Sequence, residues 1–582
     1  ERAALLALAL LSVEVIRNVE LFGLCALAQE TGDTADYTKF ATMAQSWENV
    51  FNTATGYMQA KLSNGQWLPG FSPATGDGFV EGTSAQYTPM VPFNLRALIN
   101  ARGGNAAWVS YLNSLTSNLT NPSATNANLS NEPSLEIPYE YDYAGAPYLA
   151  QKVVRNVEDE LYFDAPVGQF GNDDLGAMSS AYVWDELGFY PETPGTPVLA
   201  LGSPVFPKTV VHLPSGASLT INAPNAQDAA PYIQSMTVNG ASWNKAYVDY
   251  STLSSGGTLT YNLSTTPNKS WASSASDAPP SDATGEQTAL ASAGPASGLI
   301  IAPGSTGTAS LTVTNLTSKA LSATWTATAS SGITVSPTSG SLTVPAGSSA
   351  KADVTVMAGQ TEGTYSVSFA PKLSTGTSLP TTAVGVDVAK PGELWPYFDT
   401  IGISSDGQTT SSGYNGGSWL YSANALAAAN VTPGAAVTAD GIDYTWPNEP
   451  AGTDDAITAA GQTIPVTLPA GATKIGLLGS ATDSSASGAT GTLTVTYTDG
   501  STQQIPVTFS DWTLGAGAYK PVSGDTIAAT TSHRNTDSGG QDPTTTYVYS
   551  FSAALQSGKT VASVTLPNAT GGTIGVFAIG GA

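Results

Sequence analysis

The sequence predicts a multidomain α + β protein in which helices come first and β-strands follow. The chain has 582 residues, several times the usual size of a single domain. Apolar residues recur with helical spacing up to about residue 190, and from about residue 195 they alternate at every second position. These observations together predict a helical region followed by several β-domains.

The helical pattern is concentrated in a few segments. Apolar side chains share one helix face over residues 36–51 and again over 147–161, where Pro147 suits the first turn. A third helix is predicted over 174–187, directly after a Gly-Asn-Asp-Asp turn. The apolar run at 3–11 is too short to span a bilayer and predicts a buried helix, so the sequence predicts no transmembrane segment.

The sequence divides into segments that differ in composition and in predicted secondary structure. Residues 1–194 form the predicted helical domain, and 195–268 form a β-region that completes it. A Ser/Ala/Pro-rich linker is predicted over 269–288. Short alternating strands over 289–388 are typical of an immunoglobulin-like β-sandwich. Residues 389–582 are predicted to form a C-terminal β-sandwich or jelly roll.

Charge and rare residue types exclude several functional classes. The net charge is −25, from 44 acidic and 19 basic residues, and no Lys/Arg cluster offers a nucleic-acid footprint. Cys25 is the single cysteine, which excludes an internal disulfide and a thiolate zinc site. The two histidines, His212 and His533, are far apart in sequence and offer little for a catalytic triad. Hydrolytic chemistry would therefore rest on carboxylates.

Three loop motifs in the helical region carry such carboxylates. The first contains Glu81 between glycine and apolar residues, which predicts partial desolvation and the raised pKa that a general acid needs. The second contains Glu132. The third places Asp173 and Asp174 before a helix, where the free N–H groups favour negative charge. Each motif alone could be a cap or a solvated turn, but together with nearby aromatic residues they indicate a sugar site.

In this order, the motifs resemble glycoside hydrolase family 92, the calcium-dependent inverting exo-α-mannosidases. The resembling segments are Glu81–Tyr87, Asn131–Ser134, Gly171–Ser179 and Leu187–Pro191, and the similarity covers about residues 23–268, while residues 1–22 match poorly. The resemblance implies an (α/α)6 barrel preceded by a β-sandwich. This chain is expected to begin midway through that barrel, so a partial barrel without half of the sugar pocket is expected.

The resemblance also implies roles for individual residues. Glu81 aligns with the general acid and Asp174 with the general base. Substrate-binding positions are expected at Asn131, Glu132, Asn172 and Gln86. Ca²⁺ is the implied cofactor, and no metal ligand is assigned.

The predicted function is hydrolysis of terminal α-linked mannose from glycans with inversion, by a secreted bacterial enzyme. Asn131 stands where members specific for α-1,2 linkages resemble one another in having histidine, so α-1,3, α-1,4 and α-1,6 linkages stay open. Two alternatives remain. One is a mannosyl-phosphodiester hydrolase of the same fold, and the other is a non-catalytic glycan-binding or adhesive protein.

Overall fold

The computed structural model describes residues 11–61, 66–68, 71–76, 78–414 and 417–582, with the side chains of 11–16 also left undescribed. The helix predicted over 3–11 lies almost entirely outside these ranges. The described chain forms two compact units. The first contains the described residues up to Leu299, Thr306–Met357 and Tyr365–Val386, and the second contains Ile300–Ser305, Ala358–Thr364 and Asp387–Ala582.

Helices dominate the beginning of the first unit. They are α1 (Leu11–Thr31), α2 (Thr34–Ala44), α3 (Ser84–Tyr87), α4 (Leu95–Ala101), α5 (Asn105–Leu115), α6 (Glu140–Tyr143), α7 (Pro147–Leu161) and α8 (Ala177–Leu187). Short 3₁₀ turns lie at Gln45–Asn49, Pro92–Asn94, Glu132–Ser134 and Ile137–Tyr139.

The predicted helices differ from the observed ones at their ends. The helix predicted over 147–161 is α7, with Pro147 at its first position. The helix predicted from Asp174 begins only at Ala177, because Asp174 and Leu175 have positive φ angles of 39° and 58° that no α-helix contains. The helix predicted over 36–51 gives way to a 3₁₀ turn after Ala44, and the buried face of α2 carries Ala41 and Ala44.

Strands follow from about residue 189 in the first unit, after a short hairpin near residue 55. They are β1 (Phe51–Asn52), β2 (Tyr57–Met58), β3 (Phe189–Tyr190), β4 (Val198–Leu201), β5 (Lys208–His212), β6 (Ser218–Asn222), β7 (Tyr232–Val238), β8 (Ala241–Trp243), β9 (Tyr247–Asp249) and β10 (Gly257–Ser264). Strands β5-β6-β10-β7-β8 form one sheet, in which β6 and β10 are parallel, and β3-β4-β9 form another.

The next strands form two further sheets. They are β11 (Ala289–Gly294), β12 (Leu299–Ile301), β13 (Thr306–Asn315), β14 (Leu321–Ala329), β15 (Ile333–Ser336), β16 (Ser339–Val344), β17 (Ser349–Ala358), β18 (Gly363–Leu373) and β19 (Thr382–Val388). One sheet has the order β11-β13-β17-β15, and β18-β14-β16 are neighbours in the other. The immunoglobulin-like classification and the (α/α)6 barrel stay predictions.

The second unit is built mainly of strands. They are β20 (Ile403–Ser404), β21 (Trp419–Ser422), β22 (Ala436–Ala439), β23 (Ile442–Thr445), β24 (Ile457–Thr458), β25 (Thr463–Pro465), β26 (Lys474–Thr482), β27 (Ala489–Tyr497), β28 (Thr502–Phe509), β29 (Asp525–Thr531), β30 (Arg534–Thr536), β31 (Gln541–Asp542), β32 (Thr546–Ala554), β33 (Val561–Thr565) and β34 (Thr573–Gly581). Short helices α9 (Ala423–Ala428) and α10 (Leu514–Gly517) join them. The main sheets are β24-β34-β26-β32-β29 and β25-β33-β27-β28.

The segment predicted as a linker, 269–288, contains neither helix nor strand. It is nevertheless anchored to the helical part of the first unit. Asp282 donates its N–H to the Phe93 carbonyl over 2.8 Å and accepts a hydrogen bond from the Tyr37 hydroxyl at 3.0 Å. Trp271 is buried in the core of the β5–β10 sheet.

Arg155 ties α7 to the β-region. Its Nε donates to Glu158 Oε2 at 2.7 Å, and both side chains are buried. The remaining guanidinium N–H groups donate to the carbonyls of Gln227 at 3.1 Å, Ser203 at 3.3 Å and Pro204 at 3.4 Å. The planar fork of arginine can reach all these acceptors at once, which a lysine ammonium cannot do. Among the described helices, none combines the length and hydropathy required to cross a membrane.

Arg155→Ala is expected to destabilise the first unit by about 3 kcal/mol or more, because it leaves Glu158 and the carbonyls of Ser203 and Pro204 buried without their donor. The measurement is urea unfolding followed by tryptophan fluorescence. Lys152→Ala, at an exposed position of the same helix, is the matched control and should leave the midpoint nearly unchanged. Equal midpoints for the two variants would contradict the assigned role of Arg155.

Candidate functional site

The turn that carries Glu81 is fixed by a capping box at the start of α3. Thr83 is the N-cap, and Gln86 Oε1 accepts a hydrogen bond from the Thr83 N–H at 3.1 Å. Gln86 Nε2 donates to the Asn126 carbonyl at 2.8 Å, and Thr83 Oγ1 donates to the Ala124 carbonyl at 2.6 Å. Gln86, predicted to bind substrate, is thus buried and holds the turn in place.

The structure corrects the prediction that Glu81 is partly desolvated. The Glu81 side chain is exposed. Of its apolar neighbours, Val80 is 65% exposed, while Phe79 packs on Tyr87 with ring centroids 5.3 Å apart. The apolar residues before Glu81 therefore do not cover its carboxylate within the described part of the chain.

Tyr87 packs against this turn, although no sequence motif indicated a functional role for it. A Cβ on Gly82 would approach Tyr87 Cε2 to 3.2 Å, so the ring packs directly against the Glu81–Gly82 backbone. Burial raises the pKa of Tyr87, and the nearby charges of Glu81 and Glu132 raise it further. The Tyr87 side chain is therefore close enough to Glu81 and Glu132 for the charge of each to act on it.

Asn131 joins the second motif to the first. Its Nδ2 donates to the Glu81 carbonyl over 3.2 Å. Pro133 follows in the first turn of the 3₁₀ segment that begins at Glu132, where its fixed φ and missing N–H are tolerated. Glu132 itself is half-buried. The predicted substrate-binding residues Asn131 and Glu132 thus sit at the edge of the Glu81 turn.

Gly171 brings the third motif against the second. Its φ is 82°, and a Cβ there would lie 2.4 Å from Ser130 Cβ and 2.7 Å from the Ser130 carbonyl oxygen. Only glycine permits both the left-handed backbone and so close an approach. The exposed side chains of Asn172 and Asp174 follow directly.

The two aspartates of the third motif have different environments. Asp173 Oδ1 accepts hydrogen bonds from the Ser179 N–H at 2.9 Å and from Ser179 Oγ at 2.8 Å. These donors, at the start of α8, lower the pKa of Asp173. Asp173 therefore satisfies the Ser179 N–H in the first turn of α8, whose N-cap is Gly176, whereas Asp174 stands in the exposed positive-φ turn before the helix.

Buried carboxyl groups lie behind the second motif. Burial raises the pKa of Glu136 and of Asp185 to about 7 in each case. The Tyr139 hydroxyl donates to Asp185 Oδ1 over 2.7 Å. Glu140 and Asp142 are fully enclosed, and burial raises their pKa values well above the ordinary range. The sequence motif showed these acids but not their burial.

The implied calcium ion needs six to eight oxygen ligands. In the part of the chain that the structure describes, no group of three or more His, Cys, Asp or Glu side chains could hold a metal. The half-buried Glu132 and its neighbouring amides supply suitable oxygen atoms, but they do not complete a calcium cage.

Comparison with known proteins identifies the region that holds these motifs. The profile of the glycosyl hydrolase family 92 catalytic domain matches residues 12–265. This part of the chain is therefore similar to the catalytic domain of glycoside hydrolase family 92. The matched segment begins earlier than the sequence motifs indicated, because it includes residues 12–22. An AziU2-like β-sandwich domain matches residues 390–581.

Individual relatives also align with a part of this chain. An uncharacterized secreted glycosidase of Arthroderma benhamiae is 27% identical over 274 residues, covering 42% of this chain and 34% of the relative. A solved family GH92 α-mannosidase from Bacteroides thetaiotaomicron is 29% identical with a TM-score of 0.44, covering 45% of this chain and 36% of its own. A family GH92 inverting mannosidase from the same organism is 28% identical with a TM-score of 0.42, covering 44% and 38%. The chain thus spans about a third of the length of these relatives.

Gly171→Ala is expected to separate the third motif from Ser130, because its Cβ has no room. Hydrogen–deuterium exchange should then increase both at 171–176 and at 128–135. Gly176→Ala is the matched control, since Gly176 also has a positive φ of 90° but nothing lies within 4 Å of its Cβ position. Its exchange should increase only near its own turn. Unchanged exchange at 128–135 in Gly171→Ala would contradict the contact.

Asp185 predicts a pH dependence of stability. Burial raises its pKa from 3.8 to about 7, so the folded state binds this proton more tightly than the unfolded state. The stabilisation is complete below the unfolded pKa and is lost as pH rises through the folded value. The urea midpoint of the first unit should therefore fall between about pH 4 and pH 7. Asp185→Asn should flatten this slope, while Asp164→Asn, at an exposed position, should preserve it.

Proposed function

We propose that the segment similar to family 92 works as an exo-acting α-mannosidase that hydrolyses terminal α-linked mannose with inversion. The observation that supports this most directly is the contact of the three carboxylate loops. Asn131 reaches the Glu81 backbone, and Gly171 lies against Ser130. Segments separated by about 50 and 40 residues in sequence thereby share one surface.

In the proposed mechanism Glu81 is the general acid. Its carboxyl group gives a proton to the glycosidic oxygen as the bond to the anomeric carbon breaks. Asp174 is the general base, and it takes a proton from the water that attacks the opposite face of the sugar. An inverting pair requires carboxyl groups about 6.5–9.5 Å apart, so that the water fits between base and sugar.

The neighbouring residues position these groups. The capping box of Thr83 and Gln86 fixes the backbone that presents Glu81, and Asn131 holds the Glu81 carbonyl. Asp173 anchors the third loop to α8 through Ser179, so that the Asp174 carboxylate is not needed for this contact. Glu132 and Asn172 would bind sugar hydroxyls from the facing loops.

We include calcium in the proposal because the sequence resembles a family of calcium-dependent enzymes. Bound calcium would polarise and orient sugar hydroxyls. Glu132 is the described side chain best suited to contribute an oxygen, since it is a half-buried carboxylate beside the Glu81 turn. No step of the proton transfers described above depends on the ion.

The substrate and setting are also proposals. The named relatives include α-mannosidases and a secreted glycosidase, which supports mannose-containing glycans as substrates and secretion of this protein. The low content of charged residues, 11%, and the abundance of glycine, serine and threonine are consistent with a secreted enzyme. Because Asn131 stands where members specific for α-1,2 linkages have histidine, the candidate linkages are α-1,3, α-1,4 and α-1,6.

Glu81→Gln and Asp174→Asn are each expected to lower mannose release by about 10²-fold or more, because each removes a positioned proton donor or acceptor. Release from a panel of α-linked mannobiosides is measured by NMR, which also identifies the anomer. Glu160→Gln, an exposed acid on α7, is the matched control. Initial release of β-mannose and loss of activity in EDTA are expected.

Other outcomes separate the rival functions. A mannosyl phosphodiester has a leaving group that needs little protonation, so its hydrolysis would survive Glu81→Gln. Glycan binding without hydrolysis in any variant would favour the non-catalytic alternative. Full activity in both carboxylate variants would refute the assigned mechanism.

A further inference from the structure

A second carboxyl group follows Glu132 in the second motif after two tight turns. In the first turn the Leu135 N–H donates to the Glu132 carbonyl over 3.1 Å. In the second turn the Tyr139 N–H donates to the Glu136 carbonyl over 2.9 Å. Glu132 and Glu136 are half-buried, whereas Glu140 is 1% exposed. Glu136 therefore stands between a proposed sugar-binding residue and the interior of the first unit.

The Glu136 carboxyl and the Tyr190 hydroxyl lie near each other without protein partners. Burial raises the pKa of Tyr190, and the charge of Glu136 raises it further. Tyr190 is half-buried, and its ring stacks on that of Tyr139 with centroids 5.1 Å apart. Within the described ranges, no other residue forms a hydrogen bond with either polar group. Half-buried polar groups of this kind are suited to a polar ligand.

Tyr162 connects this pair of groups to the third motif. Its hydroxyl donates to the Met178 carbonyl in α8 over 3.1 Å. Burial and the charges of Asp185 and Asp173 raise the pKa of Tyr162 to about 12. Tyr162 is in turn close enough to act on Tyr190. The pair therefore lies beside the second motif and within electrostatic reach of the residues that border the third.

We propose that Glu136 and Tyr190 bind a hydroxyl group of the terminal mannose on the inner side of Glu132. This inference rests on the proposed mannosidase function. A sugar hydroxyl both donates and accepts hydrogen bonds, and so does a protonated carboxyl group. An exo-acting enzyme encloses the terminal sugar more than the leaving group, because the glycan chain stops there. The location of Glu136 towards the enclosed Glu140 fits that sugar.

The surroundings favour the neutral form of Glu136. Burial raises its pKa to about 7. Its charge acts on the acids Glu140 and Glu192 and on Tyr190, so these titratable neighbours include no cation that would keep it ionised. Above about pH 7 the carboxylate can only accept hydrogen bonds, and covering it with a sugar costs desolvation. Sugar affinity should therefore fall as Glu136 ionises.

Binding of methyl α-mannopyranoside to the full chain, followed by ligand-observed NMR between about pH 6 and pH 8, tests the proposal. The wild-type affinity should fall about tenfold over this range, since the protonated form of Glu136 is the one that binds. Glu136→Gln should bind with nearly constant affinity, because its amide donates and accepts at each pH. Glu160→Gln, an exposed acid on α7, is the control and should follow the wild type.

A second variant tests the other half of the pair. Tyr190→Phe removes one hydroxyl group, so it should weaken binding by about two- to tenfold at each pH and keep the pH dependence. Normal affinity in Tyr190→Phe, or equal pH dependence in the wild type and Glu136→Gln, would overturn the proposal even if mannose is released. Binding with the expected profile but without mannose release would support the proposal and refute the hydrolytic function. Absence of sugar binding by the wild type at every pH would overturn both.

Discussion

The candidate site depends on the contact between Gly171 and Ser130. A side chain larger than hydrogen at position 171 would collide with the Ser130 Cβ and carbonyl oxygen, so this contact exists only because the residue is glycine. On the other side of the second motif, Asn131 holds the Glu81 carbonyl. The second loop therefore contacts both the loop of the proposed acid and the loop of the proposed base. Proton transfer chemistry on one sugar requires that such loops are held in place, because general acids and bases act only within hydrogen-bond reach.

The same region separates structural carboxylates from proposed catalytic ones. The Asp173 carboxylate accepts a hydrogen bond from Ser179 in the first turn of α8, and the Gln86 amide donates to the Asn126 carbonyl next to the Glu81 turn. Further acids, such as Glu140 and Asp142, are enclosed in the protein and hold their protons more tightly than usual. Glu81 and Asp174 remain at the surface of their loops. Exposure is compatible with chemistry on a glycan, whose binding would itself remove water from these side chains.

The fold shows where local sequence signals were sufficient. The helix over 147–161 was predictable because its apolar positions repeat on one face and Pro147 marks its start. The start of α8 was not predictable, because the left-handed backbone at Asp174 and Leu175 does not change the hydrophobic periodicity of the sequence. Similarly, the apolar residues over 36–51 were predicted to share the buried face of a helix, but Met43 is 39% exposed, while Ala41 and Ala44 are buried. Periodicity locates helices well, but their ends and exact rotation depend on the packing partners.

The sequence by itself determined the order of helical and β-regions, the carboxylate motifs and the resemblance to family 92, because these are properties of local pattern and residue identity. Only the tertiary structure decided which carboxylates are buried, that Asp173 rather than Asp174 accepts the Ser179 N–H in the first turn of α8, and that Tyr87 lies near the charges of both Glu81 and Glu132. The physical reason is that burial and electrostatics depend on neighbours distant in sequence. No local pattern reveals that Ser130 will lie against Gly171.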